Sequence, residues 1–269
     1  MTYYFFRNYK LLNFLLQKQG KIKNGLSFMN NEKNKIDFSV IIPAFNEENF
    51  LSDAIYSIKN QIGNFKIETI VVNNNSTDKT DKLAESLGAR VIEEKNKGVA
   101  WARKTGTENA VGEFVVHIDA DSRLPVDYLK NVCEKFRKDE SLVCLGGQMY
   151  FYDGVWWQNI LRPFFHYFFW IFSMIFSFGK IGPMGNNMVF KKEVYDKTDG
   201  FDWRLKFGED MDLCKKLSKF GKIKLDMSLK IYVSARRYQL DKDLAIYVLN
   251  FLRMLFLGEP RVNELKDKR

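Results

Sequence analysis

Two acidic pairs stand out as residues that could do chemistry. In "FVVHIDADS" an apolar run ends in Asp119 and Asp121 with only Ala120 between them, and in "FGEDMDL" Glu209 and Asp210 sit side by side. Carboxylates this close repel one another, and they are stable together only when water, a cation or hydrogen-bond donors compensate them. On an extended segment, residues two apart lie on the same side, so Asp119 and Asp121 are expected to point one way. Asp210 falls at the start of a helical pattern, where a carboxylate also serves as a cap. The two histidines, His117 and His166, and three cysteines, Cys133, Cys144 and Cys214, form no CxxC or Cys/His cluster, which leaves no basis for a zinc site. The cysteines read as reduced core thiols, which places the domain in the cytosol.

These residues need elements to position them. "FSVII" (38 to 42) reads as a buried strand ending at Pro43, residues 47 to 61 as a helix, and "IETIVV" as a second strand. Thr77 or Asp78 then caps a helix to Leu87, "ARVIEE" is a strand, 98 to 110 a helix opened by Gly98, and "EFVVHID" a strand. This alternation implies an α/β fold with a mainly parallel sheet and helices on both faces. Ligands of such sheets bind at the carboxyl ends of the strands. Pro43 to Glu47, Asn73 to Asp78 and Asp119 to Asp121 all lie at such ends and should converge on one crevice. Further on come a helix at 126 to 138, strands at 142 to 151, 222 to 226 and 229 to 233, and a helix from about Asp210 to Gly221.

Composition adds a surface. Lys and Arg number 42 against 33 acids, a net charge of +9, and 24 Phe help to raise the aromatic share to 15%. That balance suits an anionic partner, and the aromatics favour lipid over nucleic acid, for which no motif is present. The most apolar stretch lies at 155 to 180. Its uninterrupted part, 164 to 178, would make a helix about 22 Å long, short of the roughly 30 Å bilayer core. An interfacial or re-entrant element is therefore expected, with a buried core hairpin as the alternative. Residues 1 to 36 read as a basic aromatic leader and linker rather than a signal peptide, 37 to 240 as the main domain with the apolar segment inserted, and 241 to 269 as an amphipathic helix and charged tail.

"SVIIPAFNEE", "IVVNNNSTDKT", "NKGVAWARKTGTENAVGEFVVHIDAD", "GNNMVFKKEVYDKTDGFD" and "FGEDMDL" together resemble, in order and spacing, the family 2 glycosyltransferases of the GT-A fold. The resemblance runs from about residue 38 to about 237. Each piece alone is weak, and five in order are specific. The resemblance implies a nucleotide-sugar donor whose diphosphate is bridged by a divalent metal, Mg²⁺ or Mn²⁺, on Asp121, with Asp119 nearer the ribose or acting through water. It places Pro43, Ala44, Asn46 and Glu47 around the nucleotide, with Asn74, Gly98, Ala120 and Glu209 in the same site. Arg103 becomes a cation facing the nucleotide and Asp210 the catalytic base. One loop departs from the pattern: relatives commonly carry acids before "STD", whereas this chain has Asn73, Asn74 and Asn75, which keep acceptor oxygens, add donors and remove charge.

The function so implied is metal-dependent, inverting hexosyl transfer to a hydroxyl of a lipid-linked or cell-envelope saccharide, peripheral or monotopic on the cytoplasmic side of the membrane. Two alternatives stay open. One is transfer to polyprenyl phosphate, which needs no base, and the other is a noncatalytic membrane-bound relative. A Rossmann dehydrogenase is disfavoured because the first strand leads into "PAFNEE" and not GxGxxG. Arg236 and Arg237, after the last strand, are candidates for donor diphosphate or lipid phosphate, or are surface arginines.

Overall fold

The computed structural model describes residues 35–160 and 182–237 except 183 and 206, together with 167, 168, 171, 172, 175, 249–253 and 257. All but the last two residues of the leader expected at 1 to 36, most of the apolar segment and most of the C-terminal helix lie outside the described residues. Eight strands form one sheet: β1 (Phe38–Ala44), β2 (Ile67–Asn73), β3 (Arg90–Glu93), β4 (Phe114–Ile118), β5 (Ser122–Arg123), β6 (Leu142–Phe151), β7 (Asn187–Lys191) and β8 (Lys222–Val233). Their order across the sheet is β3-β2-β1-β4-β7-β6-β8-β5. The helices that flank it are, among the described residues, α1 (Leu51–Lys59), α2 (Thr80–Ser86), α3 (Val99–Glu108), α4 (Tyr128–Lys138), α5 (Lys192–Tyr195) and α6 (Glu209–Leu217), with further helical residues at 156–160 and 249–253.

The first half is parallel throughout, as the strand–helix alternation requires, with β1 between β2 and β4. Its central strands carry buried apolar runs, Val40–Ile42 in β1, Ile70–Val72 in β2 and Phe114–Val116 in β4, because both faces are covered. Val40 and Ile42 pack with Ile55 of α1 and Leu129 of α4 on one side, while Ile41 packs with Ala102 of α3 and Leu213 of α6 on the other. Burying each such side chain contributes about 1.5–3 kcal/mol. The second half mixes directions: β7 runs antiparallel to both β4 and β6, whereas β6 and β8 are parallel.

Register brings the site residues to one edge. Ala44 lies opposite Asn73, so β1 and β2 end level, and Ile41 lies opposite His117, so β4 stops two residues short of them and the Asp119–Asp121 turn falls beside the end of β1. Helix α3 packs on this part of the sheet through Gly106, where a Cβ would lie 2.4 Å from Ile41 and 2.9 Å from Val72. That approach seats Arg103, one turn earlier, at the strand ends.

Three local expectations change. Helix α1 begins at Leu51 and not at 47, because residues 46–48 turn to bond the Ser76–Thr80 segment through their backbone N–H groups. The two strands expected at 222 to 226 and 229 to 233 are one strand, β8, with an irregularity where Gly147 pairs with Asp226 and Gln148 with Lys230. The Asp119–Asp121 segment is not extended: Ser122 N–H donates to Asp119 C=O at 3.0 Å, closing a turn. The two carboxylates therefore engage different partners.

Candidate active site

The Asp119–Asp121 turn sits between two arginines. Asp119 Oδ1 lies 3.3 Å from Arg103 Nη2, and Asp121 Oδ2 accepts from Arg236 Nε at 2.9 Å. Asp121 is 5% exposed, and Ala120 between the two is buried. Hydrogen-bond donors thus compensate the carboxylates, one of the three remedies that the sequence left open.

Arg103 is itself buried, and its Nη1 lies 3.3 Å from Glu209 Oε1. Burial works against its charge, but Glu209, Asp119 and Asp210 outweigh it and keep the guanidinium protonated. Burial pushes the Glu209 carboxyl up to about 7; neighbouring Asp210 adds to the rise and Arg103 opposes it. The approach of Arg103 depends on Gly185, where a Cβ would lie 1.1 Å from Nη1.

Gly185 also reaches Asp210. Its N–H donates to Asp210 Oδ2 at 2.7 Å, and Met211 N–H donates to Oδ1 at 2.8 Å. Asp210 is thus the second residue of α6, after Gly208 at the N-cap, and both its oxygens are oriented by backbone donors. The helix N-terminus favours its negative charge. Behind this group, His117 on β4 is neutral, its pKa held well below 6.5 by burial and by the charge of Arg103. Thr107 donates its hydroxyl proton to Arg103 C=O, so it accepts from His117 Nε2 at 2.8 Å, tying α3 to β4.

The loop after β1 closes the other side. Asn46, at φ 56°, accepts from Thr77 N–H at 2.7 Å, and Glu47 is 2% exposed with Oε2 2.5 Å from Arg236 Nη2. Pro43 and Ala44 form the last two positions of β1. The three asparagines are committed internally. Asn73 donates to Glu93, Asn74 donates to the carbonyls of Glu94 and Asn96 and accepts from Gly98 N–H at 2.8 Å, and Asn75 donates to the carbonyls of Glu94 and Lys95. An aspartate at 74 would accept where the loop needs a donor, which accounts for the departure from the acidic pattern.

The structure thus gathers Asp119, Asp121, Arg103, Glu209 and Asp210 directly, and places Glu47 beside Asp121 through Arg236. Asn74 and Gly98 act on each other. Gly185 was not singled out as a site residue, because only its backbone and its lack of a Cβ matter. Glu94, which is buried and accepts from Thr105 Oγ1 at 2.5 Å and Asn96 N–H at 2.7 Å, carries no motif signal either.

The donor set of Asp119 and Asp121 is hard oxygen, which fits Mg²⁺ or Mn²⁺ held by one or two carboxylates with the remaining positions left to phosphate and water. Among the described residues no group of three or more His, Cys, Asp or Glu side chains could form a closed protein cage for an ion. The set fits a metal shared with a diphosphate.

The profile of Glycosyl transferase family 2 matches residues 39–198, more than half of the chain. The chain belongs to this family. Among its relatives, the minor teichoic acid biosynthesis protein GgaB of Bacillus subtilis is 34% identical over 115 residues, 40% of this chain and 13% of that protein. Glycosyltransferase GlyA of Streptococcus pneumoniae is 30% identical over 130 residues, 46% of this chain and 18% of its own length. The chain therefore spans less than a fifth of either relative. In structure it is similar to the mannosyltransferase PcManGT of Pyrobaculum calidifontis in complex with GDP-Man and Mn²⁺, with a TM-score of 0.64 and 20% identity, covering 82% of this chain and 63% of that one. That likeness establishes the GT-A fold of this family 2 member.

Proposed function

We propose that this chain transfers a sugar, with inversion, from a nucleotide-sugar donor to a hydroxyl of a cell-envelope saccharide or lipid-linked acceptor. The observation that carries the reading is Asp210: a carboxylate with both oxygens aimed by backbone N–H groups, next to the buried Arg103–Glu209–Asp119 network at the strand ends. Asp210 takes the proton of the acceptor hydroxyl as its oxygen bonds to the anomeric carbon, and the bond from that carbon to the diphosphate breaks on the opposite face. When bound, a divalent ion held by Asp121 and Asp119 would neutralise charge on the leaving diphosphate. Arg103 holds Asp119 and Glu209 in place, and the asparagine loop fixes the edge of the nucleotide site. A base aimed this way favours a hydroxyl acceptor over polyprenyl phosphate.

The acceptor class is supported by kinship with GgaB, whose name assigns it to minor teichoic acid biosynthesis. A membrane setting is supported by the exposed apolar side chains Trp156, Ile160, Phe168, Ile171 and Ile175 and by the net charge of +9. Among the described residues no helix is long and apolar enough to cross a membrane. In this reading the enzyme is peripheral or monotopic on the cytoplasmic side of the membrane, with 37 to 240 as the transferase domain. Screening the purified protein against UDP- and GDP-sugars with Mn²⁺ and saccharide acceptors, while reading released nucleoside diphosphate, tests this. Release that requires one donor and an acceptor is expected; no release from any donor would contradict it.

A further inference from the structure

Arg236 follows β8 in a short 3-10 turn, Ala235–Arg237, that is anchored at several points. Ser234 Oγ donates to Asp153 at 2.6 Å, Ala235 N–H donates to the same carboxylate at 2.6 Å, and Ser234 N–H donates to the carbonyl of Asp121 itself at 3.2 Å. The turn is thus built onto the Asp119–Asp121 segment. From it the guanidinium inserts between two nearly inaccessible carboxylates, with Nε on Asp121 at 2.9 Å and Nη2 on Glu47 at 2.5 Å. Its plane covers the ring of Phe50, with Cζ 4.0 Å from the centroid. A planar fork that satisfies two carboxylates while stacking on an aromatic is a use for which arginine is suited and lysine is not.

Asp121 and Glu47 are 5% and 2% exposed, and carboxylates so removed from water require a cation. One guanidinium bridging both meets that need before any nucleotide arrives. Asp121 is also the carboxylate on which the proposed reading places the divalent ion, and the inference rests on that reading. A metal on Asp121 and the guanidinium 2.9 Å from its Oδ2 are two cations on one carboxylate; they repel each other, so the hold of one weakens the hold of the other. We propose that Arg236 is an intrinsic cation of the donor site: it holds Asp121 in the donor-free enzyme and yields it to the metal when the metal arrives with the nucleoside diphosphate. Once released, the guanidinium stands beside the diphosphate, which its fork matches. The arrangement makes the empty site a poor binder of free metal and ties metal uptake to nucleotide.

The test is Mn²⁺ binding without turnover, read by electron paramagnetic resonance and by thermal shift, with and without nucleoside diphosphate. Without nucleotide, wild type should take up Mn²⁺ weakly. Arg236→Gln should bind it about tenfold more tightly or better, with a correspondingly larger rise in Tm on adding MnCl₂. Adding Asp121→Asn to Arg236→Gln should abolish that gain. If Arg236→Gln does not fold, Arg236→Lys keeps the charge but loses the fork and should still exceed wild type in nucleotide-free affinity. Affinity equal to or weaker than wild type in the folded variant overturns the exchange. The failure of the underlying reading looks different: wild type would then take up no Mn²⁺ even with nucleoside diphosphate present.

Discussion

At Gly185 the absence of a side chain serves two residues at once. It leaves room for Arg103 Nη1, and its N–H aims Asp210. Gly185→Ala forces either the guanidinium or the turn to move, and a displacement of about 1 Å at a catalytic group can cost about 10²-fold in rate. We predict a fall in kcat of that order with the donor KM far less affected, measured by steady-state kinetics. A kcat equal to that of wild type would mean that the Gly185–Arg103 approach positions nothing. This residue illustrates which parts of the site were legible in the sequence. The convergence of Asp119 and Asp121 on the strand-end crevice was, from residue type and position, whereas Arg103 on a helix and Glu209 and Asp210 at a helix start were linked to it only through the family resemblance. The grouping of Asp121 with Glu47 through Arg236 was not, since those contacts span 115 and 189 residues and follow only from the folded sheet. The same holds for the asparagines, whose amides read as altered nucleotide contacts until their partners in the 94–98 loop are known.

Among elements, β1, β2 and β4 were legible because strands buried on both faces leave continuous apolar runs between turn residues. Strand β8 reads as two because its middle carries Asp226 and Ser228, residue types that signal a turn. The chain instead bulges against β6 and ties the bulge down: Asp226 accepts from Ser228 Oγ at 2.6 Å and pairs with Lys135 of α4 at 2.9 Å. Partial burial pushes the Asp226 carboxyl up, but the bonds from Ser228 and Lys135 more than offset this and hold its pKa well below the usual 3.8. A depressed pKa contributes stability above the unfolded value, and the contribution is lost as pH falls through the folded one. Asp226→Asn should therefore cost about 1 kcal/mol between pH 5 and 8, allowing for partial solvent screening, and the gap to wild type should begin to narrow as pH falls below about 4 and shrink further with more acid. Denaturant melts across that range check it; a gap that does not vary with pH would assign the cost to packing.

For the whole molecule, the question is what the exposed apolar side chains between 156 and 175 do. Phe168 is 57% and Ile175 64% exposed, and large side chains so exposed mark a contact surface. The protein should float with anionic liposomes, and replacing Phe168, Ile171 and Ile175 by serine should release it while nucleotide affinity is retained. Each loss removes about 1.5–3 kcal/mol of apolar burial in the bilayer, more together than a peripheral attachment tolerates. If the variant instead unfolds, these side chains pack within the protein.

The central claim is that Asp210 is the base for a hydroxyl acceptor, and Asp210→Asn tests it most directly. The amide oxygen accepts from only one of the Gly185 and Met211 N–H groups and its NH2 faces the other, which should cost about 1–3 kcal/mol of stability, while donor affinity stays close to wild type and transfer falls by the roughly 10²–10⁴ that a carboxylate base contributes. Calorimetry with the nucleotide and a transfer assay on the same preparation separate the two quantities. Retained donor binding with collapsed transfer is the predicted result; a variant that transfers sugar at the wild-type rate would contradict the account.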